Sequence, residues 1–287
     1  MPSLFPERNC RATEISAMKP VPEEPVRALT NDEVEAFRGD GVICVRQVLP
    51  ARWIEVAAAA IERTKQTPSE TGKVLSKPAP GYLNDIFMWL ADDGYRRFVF
   101  ESPAARLAQQ VMGSRTVTFF YDQVFVKEPG TDVPTPWHHD LTFWPIEGTQ
   151  ICSIWMPVDP VTRESSGLEY VRGSHRWNRR FKAVSPDHHP ALLASNLEDP
   201  PDIDAHRGAY DLVNWDMEPG DVLIFHPLTL HGSRGNSSPR RRRAFATRWL
   251  GDDVIYAPAK ARMPLPKGHG LLRGDKLSGR FFPQVLG

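Results

Sequence analysis

The sequence predicts an α+β fold in which several strands close into a barrel or a sandwich. Helical patterns fill the first third of the 287 residues, and short strands separated by Pro, Gly and Ser clusters fill much of the rest. The 27 prolines favour a loop-rich, β-leaning fold over a helical bundle. Because no internal repeat and no second core follow the strands, we expect one large domain.

Three helices are predicted before residue 113. The first begins near Leu29, where Thr30 can act as the N-cap and Glu33 completes a capping box. The second covers residues 51–67, whose alanine run and one-sided apolar residues are typical of an amphipathic helix. The third covers residues 104–112 and ends at a glycine, which favours a helix C-terminus.

The segments between these helices follow other patterns. Residues 41–45 are apolar and predict a short buried strand. Residues 67–81 are rich in Pro, Ser, Gly and Lys, which predicts a loop. Residues 82–100 mix aromatic and acidic side chains, and we expect helical pieces there.

The pattern changes at residue 116, where the side chains begin to alternate up to Lys127. A period of two predicts a strand with two distinct faces, one of which carries Gln123 and Lys127. A polar insertion at residues 186–216 predicts a long loop. Further strands are predicted at residues 150–158, 167–171, 221–225 and 243–250.

The expected domain organisation follows from these elements. Residues 1–27 carry Pro and Glu without periodicity and predict a flexible N-terminal arm. Residues 28–287 are expected to form a single domain. Within it we expect a helical buttress at about 28–113, a barrel core at about 116–251, and a C-terminal wrap at 252–287.

Composition excludes several classes of function. The formal net charge is zero, so no global field favours nucleic acid or a membrane surface, and no apolar run is long enough to span a bilayer. Cys10, Cys44 and Cys152 are odd in number and widely spaced, which fits a reducing compartment rather than a disulfide framework. Without a signal pattern at the N-terminus, we expect a cytoplasmic protein.

The tripeptide His138-His139-Asp140 is the candidate reactive centre. In an extended strand, residues i and i+2 point to the same face, so His138 and Asp140 can aim a nitrogen and an oxygen at one point while His139 faces away. One distant histidine would complete the 2-His-1-carboxylate triad of non-heme Fe(II). Taken alone, such a tripeptide is more often a surface or hydrogen-bonded core feature than a metal site.

A second polar cluster follows an apolar strand at residues 221–225. That strand leads to His231, and Ser233 and four adjacent arginines, residues 240–243, come next. Arginine beside a hydroxyl is a suitable receptor for a carboxylate. Four adjacent arginines cannot all point inward, so most of them are expected to form a solvated basic turn; a nucleic-acid patch is the alternative.

Taken together, these segments resemble the phytanoyl-CoA dioxygenase family of Fe(II)/2-oxoglutarate-dependent oxygenases. The resemblance runs from about Leu29 to the C-terminus and depends on the order and spacing of many short motifs. They are Leu29-Thr30-Asn31-Asp32-Glu33, Gly41-Val42-Ile43, Lys127-Glu128-Pro129-Gly130, Pro134-Thr135-Pro136-Trp137-His138-His139-Asp140, Trp155-Met156-Pro157-Val158-Asp159, Gly167-Leu168-Glu169, Gly173-Ser174-His175, Gly220-Asp221-Val222, His231-Gly232-Ser233 and Arg248-Trp249.

The resemblance implies both a fold and a site. It implies a double-stranded β-helix, a jelly-roll, cupin-like barrel flanked by the N-terminal helices. It implies His138, Asp140 and His231 as the iron ligands, with Fe(II), 2-oxoglutarate and O₂ as cofactor and cosubstrates. Arg242 would pair with the distal carboxylate of 2-oxoglutarate, and Ser233 would donate a hydrogen bond to it.

Strand parity favours Arg242 among the four arginines. A strand would place Arg240 and Arg242 on one face with Ala244 and Ala246, whose small side chains leave room for a ligand. Gln123 and Lys127 are further candidates for cofactor or substrate contacts. Phe143 and Trp144, which follow the tripeptide, are either core residues or the walls of an apolar substrate pocket.

Two positions depart from the family pattern. His139 stands where the family usually has a small polar residue, and we expect its side chain to point outward. Arg172 stands where a proline often precedes Gly-Ser-His. Halogenating relatives replace the carboxylate of the triad with a small residue, so the presence of Asp140 favours oxygenation.

The implied reaction is hydroxylation of an unactivated C–H bond of a small organic substrate, with release of succinate and CO₂. The alternatives are a cupin-type metal isomerase or hydrolase, and a non-catalytic barrel that serves as a binding module. An acyl-CoA, an amino-acid derivative and a natural-product scaffold all remain open as substrates, as do desaturation, cyclisation and epimerisation. We expect a monomer or a homodimer without nucleic-acid or membrane partners.

Overall fold

The computed structural model describes residues 20–77, 79–184, 196–258, 263 and 265–287. The helices are α1 (Asn31–Asp40), α2 (Ala51–Gln66), α3 (Glu70–Leu75), α4 (Asp93–Glu101) and α5 (Ala104–Met112). The strands are β1 (Val42–Val45), β2 (Tyr82–Ile86), β3 (Val117–Lys127), β4 (Thr135–His138), β5 (Ile146–Glu147), β6 (Ile151–Pro157), β7 (Glu169–Val171), β8 (Leu212–Val213), β9 (Val222–Phe225), β10 (His231–Ser233), β11 (Arg242–Leu250), β12 (Ile255–Tyr256) and β13 (Gln284–Leu286).

The largest sheet is antiparallel throughout, with the strand order β1-β9-β6-β11-β3. The far edge of β3 is shared: β2 pairs with its C-terminal half and β13 with its N-terminal end. The long β3–β11 ladder places Arg242 directly opposite Lys127. Two basic side chains are therefore cross-strand neighbours on one face of the sheet.

A smaller antiparallel sheet has the order β4-β10-β7-β8. Its central strand β10 places His231 opposite His138 on one side and opposite Tyr170 on the other. An apolar cluster joins this sheet to the large one, and the rings of Tyr170 and Phe225 lie 5.3 Å apart across the gap. The two sheets thus face each other, with histidine side chains at their interface.

The prediction of a closed barrel was wrong, because the strands pair in separate sheets. In the described part of the chain, β4, β10, β7 and β8 hydrogen-bond only among themselves, and β5 and β12 form a separate two-stranded ribbon. Side-chain packing, rather than a continuous hydrogen-bond ladder, holds the two faces together. The architecture shown is therefore a mixed helix and sheet fold built on facing antiparallel sheets.

The helices cover the other face of the large sheet. Side chains from α1, α2, α4 and α5 share one core cluster with the outward residues of β3, β6, β9 and β11. At its centre Phe245 is fully buried, stacked on Tyr95 at 4.9 Å and edge-on to Phe98 at 5.2 Å. The sheet face carrying Arg242 is left free for the second sheet.

Truncating Phe245 should strongly destabilise this helix–sheet core. Phe245→Ala removes a fully buried ring, and such changes cost about 3–5 kcal/mol in unfolding free energy. Phe281→Ala serves as a matched control, because Phe281 is only partly buried. Equal urea midpoints for the two variants would contradict the assigned packing.

Several predicted elements are confirmed. Helix α1 has the capping box, in which the Thr30 side chain accepts from the Glu33 amide and the Glu33 carboxylate accepts from the Thr30 amide. Gly41 then ends the helix with φ 79°, where a side chain would be strained. Helices α2 and α5 and strands β1, β3, β6, β7, β9 and β11 lie within a few residues of their predicted ranges.

Other predictions were wrong. The helical pieces predicted at residues 82–100 are present as a 3-10 turn at Met88–Leu90 and as α4, but residues 82–86 form β2, because they pair along β3. The predicted loop at 67–81 contains α3, which the Ser69 side chain caps and the Asp85 carboxylate anchors through the Ser69 amide at 2.8 Å. The predicted long loop at 186–216 contains β8, and residues 185–195 lie outside the described residues.

The two ends of the chain lie against the helices and sheets where they are described. Residues 1–19 of the predicted arm are outside the described range. After them, the Glu23 amide donates to the Glu101 carbonyl at 2.9 Å and the Trp53 indole donates to the Glu23 carboxylate at 3.0 Å.

The described part of the chain holds no helix that is both long and apolar enough to cross a bilayer.

Candidate active site

Three donor side chains converge where the two sheets face each other. The Nε2 atoms of His138 and His231 lie 3.5 Å and 3.8 Å from Oδ1 of Asp140, and all three donors lie within 4.8 Å of one another. Two imidazoles and one carboxylate are a donor set that suits a divalent first-row metal. Among the described residues, this is the one group of three or more such donors placed to share an ion.

Local structure explains how a tripeptide and a distant histidine meet. Strand β4 ends at His138, His139 remains extended with φ −123° and ψ 145°, and a 3-10 turn begins at Asp140. The expected same-face placement of His138 and Asp140 therefore holds, although the strand itself has ended. Cross-strand pairing of β4 with β10 then brings His231 beside His138, with ring centroids 4.3 Å apart.

Both imidazoles present a free lone pair to this centre. Nδ1 of His138 is 2.7 Å from the Pro136 carbonyl, and Nδ1 of His231 is 3.0 Å from the Thr229 carbonyl. A carbonyl oxygen only accepts, so each Nδ1 carries the proton and each Nε2 keeps its lone pair. This outer hydrogen bond is what metal-binding histidines usually make.

The electrostatics favour the metal-binding protonation states. Burial lowers the pKa of His231 to about 4, and the neighbouring His138 adds to the shift, so the ring is neutral. Burial alone would raise the pKa of Asp140, but His138, His231 and Arg248 hold it well below its usual value. A neutral imidazole at His231 and an ionised carboxylate at Asp140 are the forms in which these groups bind a divalent cation.

His139 does not point outward as expected. Its side chain is 2% exposed, and its Nε2 accepts from the Phe181 amide at 3.0 Å. Burial lowers the pKa of this imidazole to about 3, so it is a neutral acceptor in the core. His139 therefore connects the tripeptide to the segment around Phe181 by a hydrogen bond. It is not one of the three metal donors.

A second polar group lies between the same two sheets, around Lys127. Nζ of Lys127 donates to Ser166 at 2.9 Å, to Ser233 at 3.1 Å and to the Arg234 carbonyl at 3.0 Å. Arg242 donates to the same Ser166 hydroxyl at 3.3 Å. Ser233 also donates to Thr135 at 3.0 Å, so hydroxyls surround the two cations.

Both cations of this group are buried, Lys127 at 1% and Arg242 at 2% exposed. Burial and the neighbouring Arg242 lower the pKa of Lys127 to about 6, and burial lowers the pKa of Arg242 to about 10. Within the described residues no carboxylate forms an ion pair with either, and Nε of Arg242 has no hydrogen-bond partner. Two buried cations without an anion make a site that suits a carboxylate.

The other three arginines of the run point elsewhere. Arg240 is exposed, and Arg241 reaches Glu62 and Glu128 at the surface. Arg243 forms an ion pair with Asp159 at 2.6 Å. Arg242, which strand parity favours, is therefore the one arginine of the four that is buried between the sheets.

Gln123 and the aromatic candidates take different positions. Gln123 donates to Asn84 at 2.8 Å and accepts from Arg248 at 2.7 Å, which places it away from the Lys127 group. Phe143 is partly buried and lies edge-on to the His138 ring at 5.9 Å. Trp144 is 1% exposed and donates to the Tyr121 hydroxyl at 2.9 Å, so it is a core residue.

Two residues of the site, Ser166 and Arg248, were not among the candidates drawn from the sequence. Arg248 continues the parity of Arg242 along β11, so that signal was available. Ser166 lies in a turn with φ 70°, and its approach to Lys127 depends on tertiary structure that no local pattern announces. Its hydroxyl connects both cations to Ser233.

Comparison with known proteins gives a matching family model. The model of the phytanoyl-CoA dioxygenase (PhyH) family matches residues 37–244. An ectoine dioxygenase of Stutzerimonas stutzeri is 25% identical over 250 residues, which cover 81% of each protein. A probable phytanoyl-CoA dioxygenase of Caenorhabditis elegans is 28% identical over 120 residues, but these cover 42% of this chain and 37% of that protein.

A solved structure with a similar fold extends the comparison. The epimerase SnoN, crystallised with Fe³⁺, α-ketoglutarate and nogalamycin RO, superposes with a TM-score of 0.69 and 22% identity. The superposition covers 88% of this chain and 97% of SnoN. At that identity the likeness concerns the fold.

Proposed function

The chain belongs to the phytanoyl-CoA dioxygenase family of Fe(II)- and 2-oxoglutarate-dependent oxygenases, and on that premise we propose that it hydroxylates an unactivated C–H bond of a small organic substrate. The balanced reaction consumes substrate, O₂ and 2-oxoglutarate, and yields the alcohol, succinate and CO₂. One observation carries the proposal: a three-donor group and a buried cationic pocket lie between the same two sheets.

The roles of the residues follow from that arrangement. His138, Asp140 and His231 would hold the iron, and the iron when bound would supply the O₂ chemistry. Arg242 and Ser233 hold the distal carboxylate of 2-oxoglutarate, and Lys127 adds a third donor. Ser166 positions the two cations by hydrogen-bonding both of them.

The alternatives receive less support from these contacts. A cupin-type isomerase or hydrolase has no use for a buried Lys127–Arg242 pair, which costs folding stability unless an anion enters. A non-catalytic binding module has no need for three metal donors that lie within 4.8 Å of one another. We also propose that the facing sheets are the two halves of a double-stranded β-helix, which the likeness to SnoN supports.

The function is tested by succinate release. Purified protein with Fe(II), ascorbate and 2-oxoglutarate is supplied with carboxylic acids, amino acids, acyl-CoA esters and polycyclic natural products. Wild-type protein should release succinate faster with at least one class, whereas His231→Ala should stay at the background rate. Equal rates for the two proteins across all four classes would refute the proposal.

Binding of 2-oxoglutarate should be linked to proton uptake by Lys127. In the free protein its pKa is about 6, so the amine is mostly neutral at pH 8. A bound carboxylate favours the ammonium form and raises this pKa, so binding at pH 8 takes up a proton. Affinity should therefore fall as pH rises above about 6, whereas little uptake is expected below that pH.

Calorimetry measures this uptake directly. 2-Oxoglutarate is titrated into the protein at pH 8 in buffers of different ionisation enthalpy. Wild type should take up close to one proton per 2-oxoglutarate bound, and Lys127→Met close to none. Lys65→Met, which removes a half-exposed lysine paired with Glu128, is the matched control and should behave as wild type. Uptake that persists in Lys127→Met would assign the titration to another group.

A further inference from the structure

Arg248 is a buried cation that the roles assigned so far leave unused. It is 3% exposed and lies over the Tyr121 ring, with Cζ 4.7 Å from the ring centroid. Its Nη2 donates to Gln123 at 2.7 Å and its Nη1 to the Ala246 carbonyl at 3.3 Å. Its Nε is buried and finds no hydrogen-bond partner among the described residues.

The guanidinium lies directly beside the three-donor group. Its Nη2 is 3.8 Å from Oδ2 of Asp140, the carboxylate oxygen to which Ser153 donates at 3.4 Å. The other oxygen, Oδ1, faces the two imidazoles. An anion held by Arg248 would therefore lie next to the three-donor group.

A count of charges indicates that such an anion is missing. Between the sheets, the described charged side chains are Lys127, Arg242 and Arg248 against one carboxylate, Asp140. Fe(II) adds two positive charges and 2-oxoglutarate two negative ones, so these two groups cancel, and a proton taken up by Lys127 only adds to the positive charge. Even with Lys127 neutral, one positive charge remains uncompensated, and a buried unpaired charge is costly.

The missing charge belongs at Arg248. Arg242 and Lys127 are compensated by the distal carboxylate of 2-oxoglutarate. Arg248 faces only one carboxylate among the described residues, that of Asp140, and a bound metal would share the negative charge of that carboxylate. The acidic side chains of neighbouring elements do not reach it: Glu169 pairs with Arg163 and Arg207, and Asp122 accepts from the Met88 and Trp89 amides.

The surroundings of Arg248 describe the rest of the ligand. The Tyr121 ring beneath it belongs to an apolar cluster that also contains Ile86, Phe143 and Leu228. Phe143 connects this cluster to the His138 ring. Gln123, fixed by Asn84, holds the guanidinium in place as a positioning residue. The surroundings of Arg248 thus combine one cation with apolar side chains.

We propose that Arg248 forms a carboxylate subsite for the substrate, so that the enzyme acts on a small carboxylic acid with an apolar body. This inference deepens the proposed function and depends on it only for the name of the reaction. The carboxylate would accept from the unpartnered Nε and from Nη2 of Arg248. That anchor fixes which C–H bonds of the acid lie near the iron.

Matched acids and amides test the subsite by binding alone. Hexanoate and hexanamide, and benzoate and benzamide, are titrated calorimetrically into anaerobic protein loaded with Fe(II) and saturating 2-oxoglutarate, which blocks the Arg242 pocket. In wild type each acid should bind about 10- to 100-fold tighter than its amide, as expected for hydrogen bonds to a charged group. Arg248→Gln should bring that ratio close to one.

Control variants separate this role from a structural one. Arg248→Lys keeps the charge and should keep part of the preference for acids, and Arg240→Gln, which alters an exposed arginine, should keep all of it. The 2-oxoglutarate affinity of Arg248→Gln should stay within a few-fold of wild type.

Two results would overturn the proposal. In the first, wild type binds the acids no tighter than the amides. In the second, Arg248→Gln keeps the preference for acids but loses Fe(II) affinity. Arg248 would then serve only to position Asp140. Because binding is measured without turnover, a protein that prefers acids through Arg248 yet never makes succinate would refute only the oxygenase function.

Discussion

Replacing Asp140 by alanine is expected to weaken Fe(II) binding and 2-oxoglutarate turnover by more than about 100-fold, since even partners outside the ligand shell cost 10- to 100-fold when removed. Asp140 is the only carboxylate of the three-donor group, and its Oδ1 lies within 4 Å of both imidazole Nε2 atoms. The variant also leaves Arg248 without its one facing anion. Equilibrium dialysis of Fe(II) under nitrogen measures the first effect, and succinate release measures the second.

Asp159→Ala is the matched control for this change. Asp159 is also ion-paired with an arginine of β11, Arg243 at 2.6 Å, but it lies outside the three-donor group. Its loss is expected to lower stability and to leave Fe(II) affinity near the wild-type value. Similar losses of Fe(II) affinity in both variants would mean that general destabilisation explains the result for Asp140.

Replacing Arg242 by alanine is expected to raise the dissociation constant of 2-oxoglutarate by roughly 30-fold to several thousandfold. Truncating one partner of a buried, hydrogen-bonded charge pair costs about 2–5 kcal/mol, which gives that range. Arg242 is 2% exposed and lacks any ion-pair partner in the described residues, so its contribution depends on the incoming carboxylate. Fe(II) binding should be nearly unchanged, because Arg242 is not among the donors.

The neighbouring arginine supplies the control. Arg241→Ala removes the same side chain from the next position, but Arg241 is 44% exposed and pairs with Glu62 and Glu128 at the surface. Exposed pairs contribute about 0–1 kcal/mol, so 2-oxoglutarate affinity should change little. Equal effects of the two substitutions would show that the parity of β11 does not determine which arginine holds the cosubstrate.

Strand periodicity predicted the part of the site that lies on long strands. The period of two put Lys127 on one face of β3 with Gln123, and Arg242 on one face of β11 with Ala244 and Ala246. The pairing of these two strands then places Lys127 opposite Arg242, which the structure alone reveals. The helix starts were equally readable, since the Thr30 capping box is a local feature. Local sequence patterns thus predicted the bounds of the longer helices and strands to within a few residues.

Short elements and turns were not predictable in the same way. Strand β10 has three residues, and only its pairing with β4 and β7 makes it a strand. Strand β2 forms because the edge of β3 is available to it, which no local pattern reveals. His139 was expected to face outward, yet the segment around Phe181 covers it.

The most direct test of the central claim is a single turnover. Anaerobic protein is loaded with one equivalent each of Fe(II) and 2-oxoglutarate together with the best substrate of the panel, and is then mixed with O₂-saturated buffer. The account predicts close to one succinate and one hydroxylated product per iron from wild type, and neither from Asp140→Ala. Succinate that does not depend on iron, or equal yields from the two proteins, would contradict it.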